Sequence, residues 1–281
     1  MLSYRHAFHA GNFADVFKHA LLVQLIQALK VKEKPFCVLD THAGAGRYDL
    51  ESEPAQKNRE FIDGVGRLWG RTDLSAQLSG YVERVQALNQ PGVLRWYPGS
   101  PRIIRDCLRP DDRLILTELH PTEFPLLKAE FRDDRQVAVH HADGYSQLKA
   151  FLPPPQRRGL VLLDPAYEFK GEFERLLEAV HLIQRRWATA IIAIWYPIRE
   201  RAPSLRFQQL LSKSGITGIL CAELSVYPTD GPLRLRGCGM ILINPPWMLK
   251  ETLDRLLTEL LGCLRVTDQG ETRLEWLVPS L

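Results

Sequence analysis

Short apolar runs that each close at or beside an acid, separated by helical stretches about one crossover long, constrain this chain more than any other feature. Phe36 to Asp40, Arg113 to Glu118, Gln136 to His141, Gly159 to Asp164 and Ala188 to Tyr196 read as buried strands. Between them the apolar spacing predicts helices at Asp15–Lys30, with Asn12 or Asp15 as its cap, and at Glu123–Phe131, Tyr145–Phe151 and Gly171–Arg186. Buried strands alternating with helices call for a parallel sheet covered on both faces, so the expected fold class is α/β. The stretch from about Asp49 to Tyr97 breaks the rhythm. It reads as helical at Glu60–Trp69 and Leu74–Leu88 with few strand signals, whereas one helix suffices for a crossover. Residues 49–96 are therefore expected to form an inserted helical subdomain, and 1–48 with 97–281 the main domain. Tyr227–Gly239 reads as a polar loop between the last strands.

In open α/β sheets, ligands bind beyond the carboxyl ends of the strands. Asp40, Glu118, Asp143 and Asp164 close four strands in succession, with steps of 25 and 21 residues over the last three. Acids in register suit a ligand rich in hydroxyls, amines or a positive centre. A nicotinamide dinucleotide fits poorly. The loop Gly44-Ala45-Gly46-Arg47-Tyr48-Asp49 lacks the third glycine of the dinucleotide fingerprint, and acidic strand ends repel a pyrophosphate. S-Adenosylmethionine carries a sulfonium and an ammonium but no phosphate. Glu118 is suited to its ribose hydroxyls, and Asp143 with Gly144 to its adenine edge, the glycine permitting close backbone approach.

Asp164-Pro165-Ala166-Tyr167 resembles the Asp/Asn-Pro-Pro-aromatic turn of amino-directed nucleic-acid methyltransferases, with Ala166 in place of the second proline. An adenine amino nitrogen is a weak nucleophile because its lone pair is delocalised into the ring. A carboxylate and the Pro165 carbonyl can both accept from it and free that pair, while Tyr167 stacks on an extruded base. Asn244-Pro245-Pro246-Trp247 fits the same pattern letter for letter. It follows a late strand, Met240 to Ile243, and in methyltransferase-like folds, to which the Asp164 turn points by resemblance, that strand runs antiparallel and aims its end away from the ligand. A structural turn is the expectation there.

Charge and compartment narrow the classes further. Lys and Arg number 36 against 33 Asp and Glu, a net charge of only +3, so no broad nucleic-acid-coating surface is expected. Basic character is local: five Lys/Arg and two acids in residues 1–34, and a loop bearing Arg234 and Arg236. The longest apolar stretch, Ala188 to Ile198, is far short of the roughly 20 residues that span a bilayer, and the first residues lack an apolar signal core. Five cysteines without a Cys-x-x-Cys pair fit a reducing cytoplasm. The His6-x-x-His9 spacing has no third ligand at a standard distance, so no metal is expected.

Taken together, Leu2 to Asn12, Ala14-Asp15-Val16 with Lys18-His19, Asp40 to Tyr48, Tyr97 to Pro101, Leu116 to Pro121, Ala142 to Gly144, Trp195 to Pro197 and Ile243 to Trp247 resemble the RlmJ family over nearly the whole chain. These are bacterial 23S ribosomal RNA adenine-N6 methyltransferases. The resemblance implies a Rossmann-like methyltransferase sheet, S-adenosylmethionine as donor, and 23S ribosomal RNA before full ribosome assembly as partner, with adenine 2030 as target. It implies that His19, His42, Ser100, Glu118, Asp143, Gly144 and Asp164 line the cofactor site. Asp164 would be the catalytic acceptor, Pro165 and Tyr167 would join it at the base, and Tyr4 would contact substrate as residues 1–14 close over the site. Each residue also has a plainer role open to it. Tyr4 can anchor a tail, His19 can face solvent, His42 can bond its own turn, and Ser100 can cap a helix opened by Pro101. A DNA adenine methyltransferase and a non-enzymatic nucleic-acid-binding protein remain alternatives, and a monomer is expected.

Overall fold

A computed structural model of the chain describes residues 4–227, 235–266 and 268–280. After a short 3-10 turn at His6–Phe8 come α1 (Phe13–Lys30), β1 (Cys37–Asp40), β2 (Arg47–Asp49), α2 (Glu53–Asn58), α3 (Ala76–Gln86), β3 (Trp96–Pro98) and α4 (Ser100–Cys107). Then follow β4 (Arg113–Glu118), α5 (Glu123–Glu130), β5 (Val137–His141), α6 (Gly144–Phe151), β6 (Gly159–Leu163), α7 (Glu172–Arg186), β7 (Ile191–Ile198) and α8 (Arg201–Ser212). The chain ends with β8 (Ile219–Ser225), β9 (Gly237–Ile243), α9 (Leu249–Leu264) and β10 (Glu271–Val278).

Eight strands form one sheet in the order β10-β8-β9-β7-β6-β1-β4-β5. β1 pairs in parallel with β4 and β6, β4 with β5, and β6 with β7. β9 lies antiparallel between β7 and β8, and β10 closes the edge antiparallel to β8. The chain winds from β1 to one side through β4 and β5, then returns to the other side at β6. The switch point therefore falls at β1 and β6, where such sheets bind ligands.

α1 is buried on nearly every side, including Asp15, Lys18 and His19, because it is covered by α3, α4, α9 and the sheet. Asn12 caps it, accepting from the Ala14 and Asp15 amides at 3.0 Å each. This burial explains why polar residues on α1 can serve the interior: every one of them must find a partner there.

β5, expected as a buried strand, is the half-exposed edge of the sheet, and two further expectations need correction. Glu60–Trp69 is not a helix but two 3-10 turns, Glu60–Ile62 and Val65–Arg67. The physical reason lies at Gly64, where a Cβ would stand 2.0 Å from the Gly11 carbonyl oxygen. The Val65 amide donates to that same oxygen at 2.8 Å, so this backbone bonds the N-terminal segment rather than itself. The stretch also holds an antiparallel ribbon, β2 with β3, whose Tyr48–Tyr97 pair is buried. α3 is helical as expected, and its Leu78, Tyr81, Val82 and Val85 join the same core as α1.

The second correction concerns late strands. β7 begins at Ile191 rather than Ala188, and β9 begins at Gly237 rather than Met240. Gly239 belongs in β9 because a Cβ there would meet the Tyr196 ring at 2.2 Å. Tyr196 uses that space to donate to Glu223 Oε1 at 2.7 Å. Of the Arg-bearing loop, Arg234 lies outside the described residues, and the Arg236 amide donates to the Ile198 carbonyl at 3.0 Å. No helix among the described residues is long and apolar enough to cross a membrane.

Candidate active site

A cavity of about 1270 Å³ opens beyond the carboxyl ends of β1, β4, β5 and β6, bounded by α1 and the segment before it. All ten residues singled out in the sequence line it: Tyr4, His19, His42, Ser100, Glu118, Asp143, Gly144, Asp164, Pro165 and Tyr167.

The four strand-end acids do different jobs. Asp40 is wholly buried behind the wall, where it accepts from Ser100 Oγ at 2.7 Å and the His42 amide at 3.3 Å. Burial raises its pKa to about 7, against the Ser100 hydrogen bond that lowers it. Ser100 is the first residue of α4 and its cap position is Gly99, so the hydroxyl reaches inward to Asp40 instead of capping the helix. Glu118 accepts from the Gly44 amide at 2.7 Å and the His120 amide at 2.6 Å, one on each oxygen. Burial still raises its pKa. Asp143 caps α6 through the Tyr145 and Ser146 amides and takes Arg175 Nη2 at 3.0 Å on its other oxygen. An ionised carboxylate has about four acceptor positions, so Glu118 and Asp143 are oriented without being saturated. Gly144 is required by packing: a Cβ would lie 2.2 Å from the Thr41 carbonyl. The close approach expected there is to the neighbouring turn of the chain itself.

Asp164 is the acid at the cavity's centre. Lys18 Nζ stands 2.6 Å from its Oδ2 and 3.0 Å from Asp15 Oδ1. Burial works against the ammonium, but the two carboxylates outweigh it and raise the Lys18 pKa. Asp15 in turn faces His6 Nε2 at 2.8 Å, and Tyr4 Oη bonds His6 Nδ1 at 2.9 Å. Burial opposes the Asp15 charge, yet its cationic neighbours hold the carboxyl well below the usual range. A continuous polar chain thus joins Tyr4 to Asp164. Sequence reasoning placed Tyr4 and Asp164 but not Lys18, His6 or Asp15, whose contact with the site spans up to 146 residues. Trp195 was likewise missed; it lines the cavity with Lys18 Nζ 5.8 Å from its ring centre.

Tyr167 follows with φ +54°, its hydroxyl donating to the Trp195 carbonyl at 2.6 Å and its ring against Phe173 and Trp195. Tyr4 stacks on His9 at 5.7 Å and 11°. His42 bonds Thr41 Oγ1 at 2.8 Å, its own turn, while facing Tyr145 edge-on. Burial lowers its pKa to about 4, so the ring is neutral. His19 is not on the surface: its Nδ1 meets Tyr97 Oη at 2.8 Å and its Nε2 is buried without a hydrogen-bond partner.

This donor and acceptor set fits S-adenosylmethionine and not a pyrophosphate. The turn after β1 would have to cradle phosphate with free amides. Instead the amides of His42, Ala43, Gly44 and Ala45 are engaged by Asp40, Thr117, Glu118 and Tyr48. What remains open are carboxylate oxygens, suited to hydroxyl and cationic groups, and the buried His19 Nε2. Such a group set at this switch point, with the β9 strand inserted antiparallel beside β7, defines the Rossmann-like S-adenosylmethionine-dependent methyltransferase fold.

Within that class the chain belongs to the RlmJ family. The family model described as "Ribosomal RNA large subunit methyltransferase D, RlmJ" matches residues 33–278. The chain is 47% identical over 280 residues to the ribosomal RNA large subunit methyltransferase J of Escherichia coli (strain K12), covering 100% of both. It is 44% identical over 281 residues to the protein of the same description from Haemophilus influenzae, again covering 100% of both. A crystal structure of a Legionella pneumophila protein superposes with TM-score 0.89 at 34% identity, over 95% of this chain and 98% of that one.

Proposed function

We propose that this chain transfers a methyl group from S-adenosylmethionine to the amino nitrogen of one adenine in 23S ribosomal RNA, adenine 2030, in the cytoplasm before the RNA is enclosed in the ribosome. The observation that carries this reading is the Asp164 turn. It opens into the cavity at the carboxyl end of β6, beside the acids suited to an adenosine, in a chain of the RlmJ family.

The bound donor supplies an electrophilic methyl. Glu118 and Asp143 would accept from its adenosine hydroxyl and amino groups on the β4–β5 side. Lys18 fixes one Asp164 oxygen, which leaves Oδ1 to accept an amino hydrogen of the target base. The Pro165 carbonyl accepts the second. Two acceptors draw the nitrogen toward tetrahedral geometry and expose its lone pair. The proton shed after transfer leaves the same nitrogen along the hydrogen bond to Asp164. Tyr167, pinned by its hydroxyl, and Tyr4, held through His6, would flank the extruded base. Ala166 in place of a proline relaxes the turn but keeps both acceptors and the aromatic.

The test is to incubate the protein with methyl-labelled donor and unmodified 23S ribosomal RNA, with DNA in a parallel tube. Label in N6-methyladenosine of the RNA alone is the expected result. Intact donor binding without that product, or labelling of DNA in preference, overturns the reading.

A further inference from the structure

We propose that Tyr97 and Tyr81 form a hydrogen-bond relay that locks His19 in its Nε2–H tautomer and aims that N–H at the carboxylate of the methyl donor, which makes both tyrosines positioning residues for the cofactor. The proposal rests on reading the cavity as an S-adenosylmethionine site.

The relay is geometric. Tyr81 Oη lies 3.0 Å from Tyr97 Oη, and Tyr97 Oη lies 2.8 Å from His19 Nδ1. All three residues are buried. Hydrogen counting then decides the tautomer. Were Nδ1 protonated, it would donate to Tyr97 Oη, and one of the two phenol hydrogens would be left buried with no acceptor in the relay. Such an orphan donor is costly in an interior. With Nδ1 bare, Tyr81 donates to Tyr97, Tyr97 donates to His19 Nδ1, and both phenol hydrogens are satisfied. The ring hydrogen is then on Nε2.

Nε2 is buried, lacks a hydrogen-bond partner, and belongs to a residue lining the cavity. As an N–H it requires an acceptor. Burial and the neighbouring Lys18 charge hold the ring neutral, which fits a one-proton tautomer rather than an imidazolium. His19 sits on α1 next to Lys18, whose ammonium reaches Asp164, whereas the acids suited to the adenosine, Glu118 and Asp143, follow from the ends of β4 and β5. The donor's groups beyond its adenosine are a sulfonium, an ammonium and a carboxylate. The ammonium has no lone pair and the sulfonium's one sits on a cationic sulfur, so the carboxylate is the hydrogen-bond acceptor among them. Tyr81 comes from α3, so the relay also ties the segment between β2 and β3 to cofactor affinity.

Long-range proton–nitrogen correlation on the histidine-labelled wild-type chain at neutral pH reads the tautomer directly. A protonated Nε2 and bare Nδ1 at His19 support the relay; a protonated Nδ1 overturns it. Calorimetry then compares S-adenosylmethionine with its decarboxylated analogue. Tyr97→Phe is expected to bind the full donor about ten-fold more weakly, as for loss of one charge-assisted hydrogen bond, and the analogue as the wild type does. Tyr81→Phe, one bond further away, is expected to lose a few-fold on the full donor only. Equal losses on both ligands overturn the assignment to the carboxylate. A wild-type chain with the Nε2–H tautomer that binds neither ligand refutes the cofactor reading, and the acceptor with it, independently of the relay.

Discussion

Asp164-Pro165-Ala166-Tyr167 and Asn244-Pro245-Pro246-Trp247 carry nearly the same letters and have opposite fates. Each turn has one residue in the left-handed region, Tyr167 at φ +54° and Asn244 at φ +53°. The first leaves a parallel strand at the ligand end of the sheet. The second leaves β9, whose antiparallel register sets Ile243 opposite Ile192 at the start of β7, hence at the far end. Asn244 uses its amide hydrogens on the Ala188 and Ala190 carbonyls at 2.8 and 2.9 Å, and Trp247 is 92% exposed. Asp164 keeps an oxygen toward a cavity and Tyr167 is held within it. Strand direction, not motif spelling, decides which turn reaches the cavity.

Substitutions sharpen the contrast. Asp164→Ala is expected to lower methyl transfer by about 10³-fold or more while donor affinity stays within a few-fold, since it removes the acceptor proposed to act in the transition state. Asn244→Ala should leave the rate within about two-fold in the same assay; a large loss there would invert the comparison. Next comes Asp40→Asn, which probes the ionisable character of the site end. Folded Asp40 holds its proton up to about pH 7, whereas the unfolded chain releases it near 3.8. Wild type should therefore lose stability relative to the variant as pH rises from about 4 to 7, by up to a few kcal/mol, with no further divergence above that. Urea unfolding of both chains across that window checks the sign. Lys18→Met should lower kcat by about 10²-fold, because Asp164 loses the ammonium that orients it. Smallest is the cost of Asn244→Ala to folding. Two side-chain hydrogen bonds are worth about 1–2 kcal/mol, and a neutral amide makes that cost the same at pH 5 and pH 8.

The sequence disclosed what is local or topological. Strand runs, the helices that cross over between them and the acids at their ends follow from periodicity. The ligand end follows from the rule for open sheets. Glu118, Asp143 and Asp164 were legible for that reason, whereas the antiparallel sense of the strand before Asn244 followed only from the likeness to methyltransferase folds. Lys18 was not, because its meeting with Asp164 joins α1 to the end of β6 through the packed core. Residues 60–69 misled because their spacing is helical, while the Gly11 carbonyl pressed against Gly64 takes the backbone bond a helix would need. Ser100 was expected to line the cofactor site, with a helix cap as its plainer role, and only the buried Asp40 behind it shows where its hydroxyl goes.

The most direct measurement is a mass-spectrometric map of 23S ribosomal RNA from cells lacking this protein, complemented in turn with wild type, Asp164→Ala and Asn244→Ala chains at matched levels. The account predicts one N6-methyladenosine that disappears with the protein, returns with wild type and with Asn244→Ala, and stays absent with Asp164→Ala. A mark restored by Asp164→Ala, or lost only with Asn244→Ala, would contradict it.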